Sequence, residues 1–144
     1  MNPLQPFIDG PIAHRTLHNK NAGRPENSYE GLDAAIALGI AVEIDLQLSR
    51  DGVPMVFHDY ELDRLTSKTG LVANYDADTL QAISLTGGEQ GIPRFDEFMK
   101  YVDGRIPVLI ELKDQDGALG SKLSNLEAAT CVVMRDYNGS IAVM

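Results

Sequence analysis

The sequence has a single cysteine, Cys131, among its 144 residues. An intrachain disulfide is therefore excluded, and because Cys131 falls within an apolar pattern of helical period, we expect a buried and unreactive thiol. No hydrophobic run approaches the length of a membrane-spanning helix, and the first residues lack the basic and apolar regions of a secretory leader. We therefore predict a cytoplasmic protein without a transmembrane segment.

Positive charge is also scarce, since 12 Lys and Arg residues stand against 21 Asp and Glu residues, for a formal net charge of -9. A field of this sign repels nucleic acids and anionic membrane surfaces, so we predict neither as a partner. An anionic small-molecule substrate would need local positive charge or a metal ion. The length and the 44% hydrophobic content are those of one globular domain over residues 1–144, because a chain of this size builds a single core.

Residues 41–59 carry the most informative pattern in the chain. In the first eight of them, apolar side chains alternate with Glu43, Asp45 and a glutamine, which predicts a β-strand with two carboxylates on one face, about 7 Å apart. Asp51-Gly52 favours a tight turn, and the β-forming residues after it predict the second arm of a hairpin.

The position of His58 depends on the length of the hairpin loop. With a two-residue loop Asp45 faces His58, and with a four-residue loop Glu43 faces it, so either length puts the imidazole on the carboxylate face. A three-residue loop would send it to the opposite face. Two acids and a histidine on one surface would suit a hard cation with an adjacent proton-transfer group. The alternative is a polar strand face that is simply solvated.

The rest of the chain predicts repeated βα units and a parallel sheet, because apolar strand patterns alternate with helical ones. Four strands are predicted in parallel, near residues 11–15, 41–48, 107–113 and 140–144. No internal sequence repeat and no low-complexity segment is detectable.

Helical patterns lie between these strands. Asn27, with an acid three residues later, forms a capping box that predicts the start of the first helix. Residues 60–92 show no clear period apart from a short helix that Asp76 or Asp78 would cap, and we interpret them as an excursion between two core elements. An apolar stripe at helical spacing then predicts a core-facing helix, with Phe95, Phe98, Met99 and Val102 on its buried side.

Six short motifs follow one another along the chain: His14-Arg15, Pro25-Glu-Asn27, Glu43-x-Asp45, Asp51-Gly52, His58-Asp59 and Glu111-x-Lys113. Each is weak alone, but in this order the sequence from Pro11 to Met144 resembles the glycerophosphodiester phosphodiesterase family. The resemblance implies a TIM (β/α)₈ barrel of which this chain holds about the first half. It also implies hydrolysis of glycerophosphodiesters to an alcohol and glycerol 3-phosphate with a divalent cation, Ca²⁺ or Mg²⁺.

The resemblance further implies roles for the residues of these motifs. Three carboxylates look like the metal ligands of the family: Glu43, Asp45 and Glu111. Two histidines look like its acid/base pair: His14 and His58. Three side chains look like substrate-binding residues: Arg15 and Lys113 for the phosphate, and Glu26 as a ligand or orienting residue at the rim. Oxygen ligands suit Ca²⁺ or Mg²⁺ better than zinc. The alternative for Lys113 is a salt bridge to Glu111.

Other positions carry expectations of their own. Thr16 stands where the family usually has Gly, so its side chain would crowd the turn beside the substrate. His18 is expected at the surface, and Asp59 is expected to position its loop or His58 rather than to bind metal.

A chain that holds part of a barrel would expose strand edges that the other strands normally cover. We therefore expect a fragment of a longer protein, self-association through the open barrel edges, or loss of function. The alternative to an enzyme is a non-enzymatic relic or binding module that keeps the site without a closed pocket.

Overall fold

A five-stranded sheet forms the centre of the molecule in a computed structural model that describes residue 2, residues 4–113 and residues 125–144. The strands are β1 (Ile12–Ala13), β2 (Ala41–Leu48), β3 (Pro54–Val56), β4 (Val108–Leu112) and β5 (Ile141–Val143). Strands β1, β2, β4 and β5 lie side by side in this order and are all parallel, whereas β3 pairs with β2 in antiparallel orientation. The predicted strands and their parallel arrangement are thereby confirmed.

Strand β2 is buried on both of its faces, as is usual for the central strand of a parallel sheet. Its apolar side chains enter the main hydrophobic core, in which helices cover the sheet. Its polar side chains are buried too, since Glu43 is only 4% exposed and Asp45 and Gln47 are fully buried. A polar face that is simply solvated is therefore excluded for this strand, and its carboxylates lie inside the protein.

In the described part of the chain, five α-helices accompany the sheet: α1 (Gln5–Ile8), α2 (Tyr29–Leu38), α3 (Ala77–Gln81), α4 (Phe95–Val102) and α5 (Asn125–Met134). The predicted stripe on α4 is confirmed, because all four of its apolar side chains are buried in the main core together with residues of α2 and α5. Among the described residues, no helix combines the length and the apolar character needed to cross a membrane.

The start of α2 differs from the prediction by one residue. Ser28, and not Asn27, is the N-cap, and its hydroxyl oxygen accepts a hydrogen bond from the backbone N–H of Gly31 at 3.0 Å. Asn27 cannot serve because its φ is +55° and its side-chain amide is engaged by Asp45. The residue that looked like a cap thus belongs to the polar centre of the sheet.

Cys131 is exposed, so the prediction of a buried thiol is wrong. Helix α5 turns Leu126 and Thr130 inward, and both are buried. Because each residue of an α-helix is rotated by about 100° from the one before it, Cys131 lies beside this inward face and not on it.

The hairpin formed by β2 and β3 has an odd number of loop residues. Leu46 pairs with Val56, and Ser49 donates its backbone N–H to the carbonyl of Val53 at 3.0 Å, which leaves three residues, Arg50 to Gly52, in the loop. The two-residue and four-residue loops considered from the sequence are therefore both wrong. The Ser49 hydroxyl stabilises the odd loop, since it accepts the N–H of Val53 and donates to Asp51.

Residues 60–92 are not merely an excursion, because they enclose a second hydrophobic core with β3 and its continuation. Asp76 is the N-cap of α3, as one of the two alternatives predicted. The cap makes no side-chain bond, however, and Asp51 of the hairpin loop instead accepts the backbone N–H of Ala77 at 2.9 Å. Large apolar side chains fill this second core: Met55, Phe57, Leu62, Leu80, Leu85 and Ile92.

Candidate active site

The carboxyl ends of the parallel strands bring the predicted polar residues together. His14 and Arg15 directly follow β1, and Lys113 directly follows β4. Asp45 of β2 is the paired neighbour of Glu111 on β4. Because parallel strands place their carboxyl ends at one edge of the sheet, residues far apart in sequence meet there, as they do in other open and closed α/β sheets.

Three carboxylates form the centre of this arrangement. One oxygen from each of Glu43, Asp45 and Glu111 lies within 4.8 Å of the other two. Burial raises the pKa of Glu43, and the neighbouring charge of Asp45 raises it further, against a hydrogen bond from the Arg15 backbone that lowers it. No donor among the described residues reaches Glu43 Oε1, which is buried. The trio therefore concentrates negative charge that the protein itself satisfies only in part.

Lys113 supplies the positive charge nearest to this trio. Its Nζ lies 2.9 Å from Asp45 Oδ1 and also contacts Glu111 Oε1. Burial by itself would lower the pKa of Lys113, but the hydrogen bonds and charges of Glu111 and Asp45 raise it. The salt bridge to Glu111 considered from the sequence is present, and a second one joins it.

Arg15 ties the loop after β1 to the same carboxylates. Its backbone N–H donates to Glu43 Oε2 at 2.8 Å, and its Nε lies 3.6 Å from Asp45 Oδ2. Its Nη1 donates to Glu26 Oε1 at 3.2 Å. Glu26 thus holds the guanidinium of Arg15 in place.

The two predicted acid/base histidines lie at the mouth of the site. His14 is largely exposed, and its Nε2 is 4.0 Å from Glu43 Oε2. His58 lines a pocket together with Lys113, and its Nδ1 is 2.7 Å from Asp59 Oδ1. His18, expected at the surface, is exposed and bonds through Nδ1 to the carbonyl of His14 at 2.9 Å.

His58 reaches this pocket although the hairpin loop has the odd length. Strand β3 ends at Val56, and the backbone N–H of Phe57 makes one further hydrogen bond to the carbonyl of Asp45 at 3.0 Å. The alternation that would have sent the His58 side chain to the other face therefore ends just before His58. Gln47 holds the backbone that follows β3, because its Nε2 donates to the carbonyl of His58 at 2.7 Å and also to that of Asp59.

Two residues of the site were missed from the sequence. Asn27 donates from Nδ2 to Asp45 Oδ2 at 2.9 Å, so it orients a carboxylate of the trio. The Pro25-Glu-Asn27 motif could have indicated Asn27 as a site residue, but Asn27 was interpreted as a helix cap. Arg64 bonds to both Glu26 and Asp59, and nothing in the aperiodic segment around it marks this long-range pairing.

Thr16 adopts the backbone conformation for which glycine is suited, with φ of +65°. Its side chain is buried, and no partner for Oγ1 is found among the described residues. A Cβ added to Gly31 on α2 would lie 2.2 Å from that oxygen. The Thr16 side chain, which was expected to crowd this turn, therefore lies closely against helix α2.

The chain is similar to known proteins over most of its length. The model described as "Glycerophosphoryl diester phosphodiesterase family" matches residues 14–138. A glycerophosphodiester phosphodiesterase of Caldanaerobacter subterraneus is 33% identical over 126 residues, which cover 85% of this chain and 46% of the relative. The chain spans about half the length of the curated relatives it matches.

Solved structures are similar as well. A phosphodiesterase of Oleispira antarctica, in complex with the product sn-glycerol-3-phosphate, matches with a TM-score of 0.78 and 27% identity over 96% of this chain and 57% of that one. A glycerophosphodiester phosphodiesterase from Agrobacterium tumefaciens matches with a TM-score of 0.75 and 27% identity over 92% of this chain and 56% of that one. These likenesses confirm the predicted barrel type of fold, present here in part.

Proposed function

Since this chain belongs to the glycerophosphoryl diester phosphodiesterase family, we propose that its site serves the metal-dependent hydrolysis of glycerophosphodiesters to an alcohol and glycerol 3-phosphate. The observation that carries the proposal is the trio of Glu43, Asp45 and Glu111, whose oxygens lie within 4.8 Å of one another where β2 runs beside the carboxyl end of β4. Active sites of barrels of this type lie at that end of the strands.

The trio would hold a divalent cation, Ca²⁺ or Mg²⁺, for which carboxylate oxygens are suitable ligands. Glu43 Oε1 supports this assignment, because a buried carboxylate oxygen without a donor is unfavourable unless a cation satisfies it. When bound, such an ion neutralises a phosphate oxygen and the charge that develops during displacement. Asn27 would keep Asp45 oriented toward it through the amide hydrogen bond.

Arg15 and Lys113 would bind the phosphate of the substrate. Lys113 neutralises Asp45 and Glu111 in the structure, and a divalent cation would take over that neutralisation. The flexible ammonium of Lys113 would then be available to an anionic ligand. Arg15, held by Glu26, would add a fixed guanidinium. A chain with a net charge of -9 needs such local positive groups to hold an anion.

His14 and His58 would carry the two proton transfers. Hydrolysis of a diester needs a base for the attacking hydroxyl or water and an acid for the departing alkoxide, and an imidazole can take either role near neutral pH. His14 lies beside Glu43, and His58 shares a pocket with Lys113, so the two histidines flank the trio.

The cytoplasmic location predicted from the sequence belongs to this proposal as well.

The test is release of glycerol 3-phosphate from glycerophosphocholine by the purified chain with Ca²⁺, with Mg²⁺ and with a chelator. We expect release only with a divalent cation, and a loss of about a hundredfold or more in kcat/KM for Glu43→Gln, because several kcal/mol of transition-state stabilisation depend on the ion. The exposed Glu89 provides the control, and Glu89→Gln should behave as the wild type.

Thermal unfolding with and without Ca²⁺ separates the enzyme from a binding module. A ligand at a hundred times its Kd stabilises the folded state by about 2.7 kcal/mol, and we expect this gain in the wild type but not in Glu43→Gln. Stabilisation without hydrolysis would favour the binding module, and the absence of both would contradict the proposal.

A further inference from the structure

Arg64 joins two carboxylates beside the site with both sides of its guanidinium. Toward Asp59, its Nε donates to Oδ2 at 2.6 Å and its Nη2 to Oδ1 at 2.8 Å. Toward Glu26, its Nη1 donates to Oε2 at 3.0 Å and its Nη2 to Oε1 at 2.7 Å. Both pairs are therefore bidentate, the geometry that gives arginine its orienting power. We call these three residues the Arg64 clamp.

The clamp connects three segments that are distant in sequence. Glu26 lies in the loop before α2, Asp59 follows β3, and Arg64 belongs to the segment that encloses the second core. Two further hydrogen bonds support these carboxylate residues, because Glu26 also accepts from Arg15, and Gln47 donates to the backbone carbonyl of Asp59. The clamp thus holds the side chain of Asp59, and Gln47 holds its main chain.

Asp59 in turn contacts the imidazole of His58, with 2.7 Å between Oδ1 and Nδ1. A carboxylate in this position accepts a hydrogen bond from Nδ1–H, which selects the tautomer in which Nε2 carries the free lone pair. Arrangements of this kind orient histidines in hydrolases and around metals. A carboxylate that could rotate would not select one tautomer. Selection of the His58 tautomer by Asp59 therefore depends on the residues that hold the Asp59 carboxylate in place.

We propose that Arg64 is a positioning residue, which fixes Asp59 through the clamp so that His58 is held as the Nδ1–H tautomer with Nε2 ready for proton transfer. This inference rests on the proposed function, in which His58 transfers a proton. The hydrogen bonds of the Arg64 side chain go to Glu26 and Asp59, and none of them reaches the three carboxylates of the Glu43, Asp45 and Glu111 trio. Its effect would pass to the reaction through Asp59.

A second arginine allows the clamp to be compared with an ordinary surface ion pair. Arg50 makes a bidentate pair with Asp76, at 2.9 and 2.6 Å, but their side chains are 62% and 41% exposed. Arg64 is also exposed, at 49%, but its partners Glu26 and Asp59 are only 12% and 22% exposed. Exposed pairs contribute little, so Arg50→Gln is a matched control for Arg64→Gln.

The experiment measures the ¹⁵N chemical shifts of the histidine ring nitrogens, which distinguish the two neutral tautomers, at a pH where the imidazoles are neutral. The chain has three histidines, so His58 is assigned by comparison with His58→Gln. We expect the Nδ1–H form to dominate at His58 in the wild type and in Arg50→Gln. In Arg64→Gln we expect a mixture of both tautomers.

Kinetics of glycerophosphocholine hydrolysis supply the second measurement. We expect Arg64→Gln to lower kcat about ten- to a hundredfold with KM nearly unchanged, since loss of an orienting partner acts on the chemical step. Arg64→Lys keeps the charge without the planar fork, and it should fall between the wild type and Arg64→Gln in both measurements.

The tautomer measurement decides the inference separately from the proposed function. If the wild type hydrolyses no diester but Arg64→Gln still loses the Nδ1–H tautomer, the proposed function fails while the positioning by Arg64 stands. An unchanged His58 tautomer in Arg64→Gln would overturn the inference, whatever the activity. Should Arg64→Gln not fold, an unchanged tautomer in Arg64→Lys would overturn it equally.

Discussion

At the scale of the single residue, Thr16 combines two unfavourable features. A β-branched residue with φ of +65° is strained, because its Cβ lies too close to the following carbonyl, at about 1–2 kcal/mol. The buried Thr16 hydroxyl has no partner among the described residues, and a buried unsatisfied polar group costs about 1–3 kcal/mol. Gly31 on α2 accommodates this side chain only because it has no Cβ of its own.

We therefore expect Thr16→Gly to stabilise the protein by about 1 kcal/mol in urea unfolding, after the flexibility of glycine in the unfolded chain offsets part of the gain. Gly31→Ala should cost about 1–3 kcal/mol in the parent, because its Cβ would meet Thr16 Oγ1 at 2.2 Å. In the Thr16→Gly background the same substitution should become favourable by roughly 0.5 kcal/mol, since alanine is the better helix former. Additive effects of the two substitutions would contradict this account.

At the scale of the element, β2 could be predicted from the sequence because the alternation of its apolar and polar residues indicates both the strand and the side chains that share a face. The strand spans Ala41–Leu48 as predicted, and its parallel pairing with β4 was enough to bring Asp45 beside Glu111. Local sequence patterns could not predict the length of the hairpin loop, because the hydrogen bonds of the Ser49 side chain stabilise the three-residue loop. Local patterns also could not find Arg64, whose partner Glu26 is 38 residues away.

The rotation of α5 illustrates the same limit, because the apolar pattern located the helix but did not exclude Cys131 from the inward face. The second core shows it on a larger scale. Residues 60–92 have no period because their short elements and bridges are held by contacts with β3 and with one another. Long-range packing of this kind leaves no regular spacing in the sequence.

The ion pair that joins this segment to the site should respond to acid. The hydrogen bonds from Arg64 lower the pKa of Asp59 to about 2 from its ordinary value of 3.8, with a further contribution from His58 and against the effect of burial. Because the folded pKa lies below the unfolded one, the stabilisation is present above the unfolded value and is lost as the pH falls through the folded one. It amounts to less than about 2.4 kcal/mol, since one pKa unit corresponds to 1.36 kcal/mol and solvent screens the partly exposed Arg64.

We expect stability to decline between about pH 5 and pH 2, the range set by these two pKa values. Carboxyl ¹³C titration should place the Asp59 midpoint near 2 in the wild type and shift it toward its ordinary value in Arg64→Gln. Arg50→Gln, which breaks the exposed pair with Asp76, should leave the Asp59 midpoint in place. A wild-type midpoint near 3.8 would contradict the geometry of the Arg64 pair.

At the scale of the whole molecule, the sheet of the described residues ends at β1 on one side and at β5 on the other. The edge at β5 is apolar, with Val143 46% and Met144 62% exposed. A row of unpaired N–H and C=O groups beside apolar side chains is a template for pairing with another strand. The carboxylate trio lies on the inner strands β2 and β4, and not on β5.

We accordingly expect the chain to self-associate, with sedimentation velocity showing a species heavier than the 15.7 kDa monomer that grows with concentration. Val143→Lys places a charge on the edge and should return the distribution toward the monomer, because charged edge strands resist pairing. Val132→Lys is the control, since Val132 is 62% exposed on α5 and off the sheet edge. If both variants lower association equally, general surface hydrophobicity drives it, and a wild type that stays monomeric throughout would show that the edge of β5 is protected in solution.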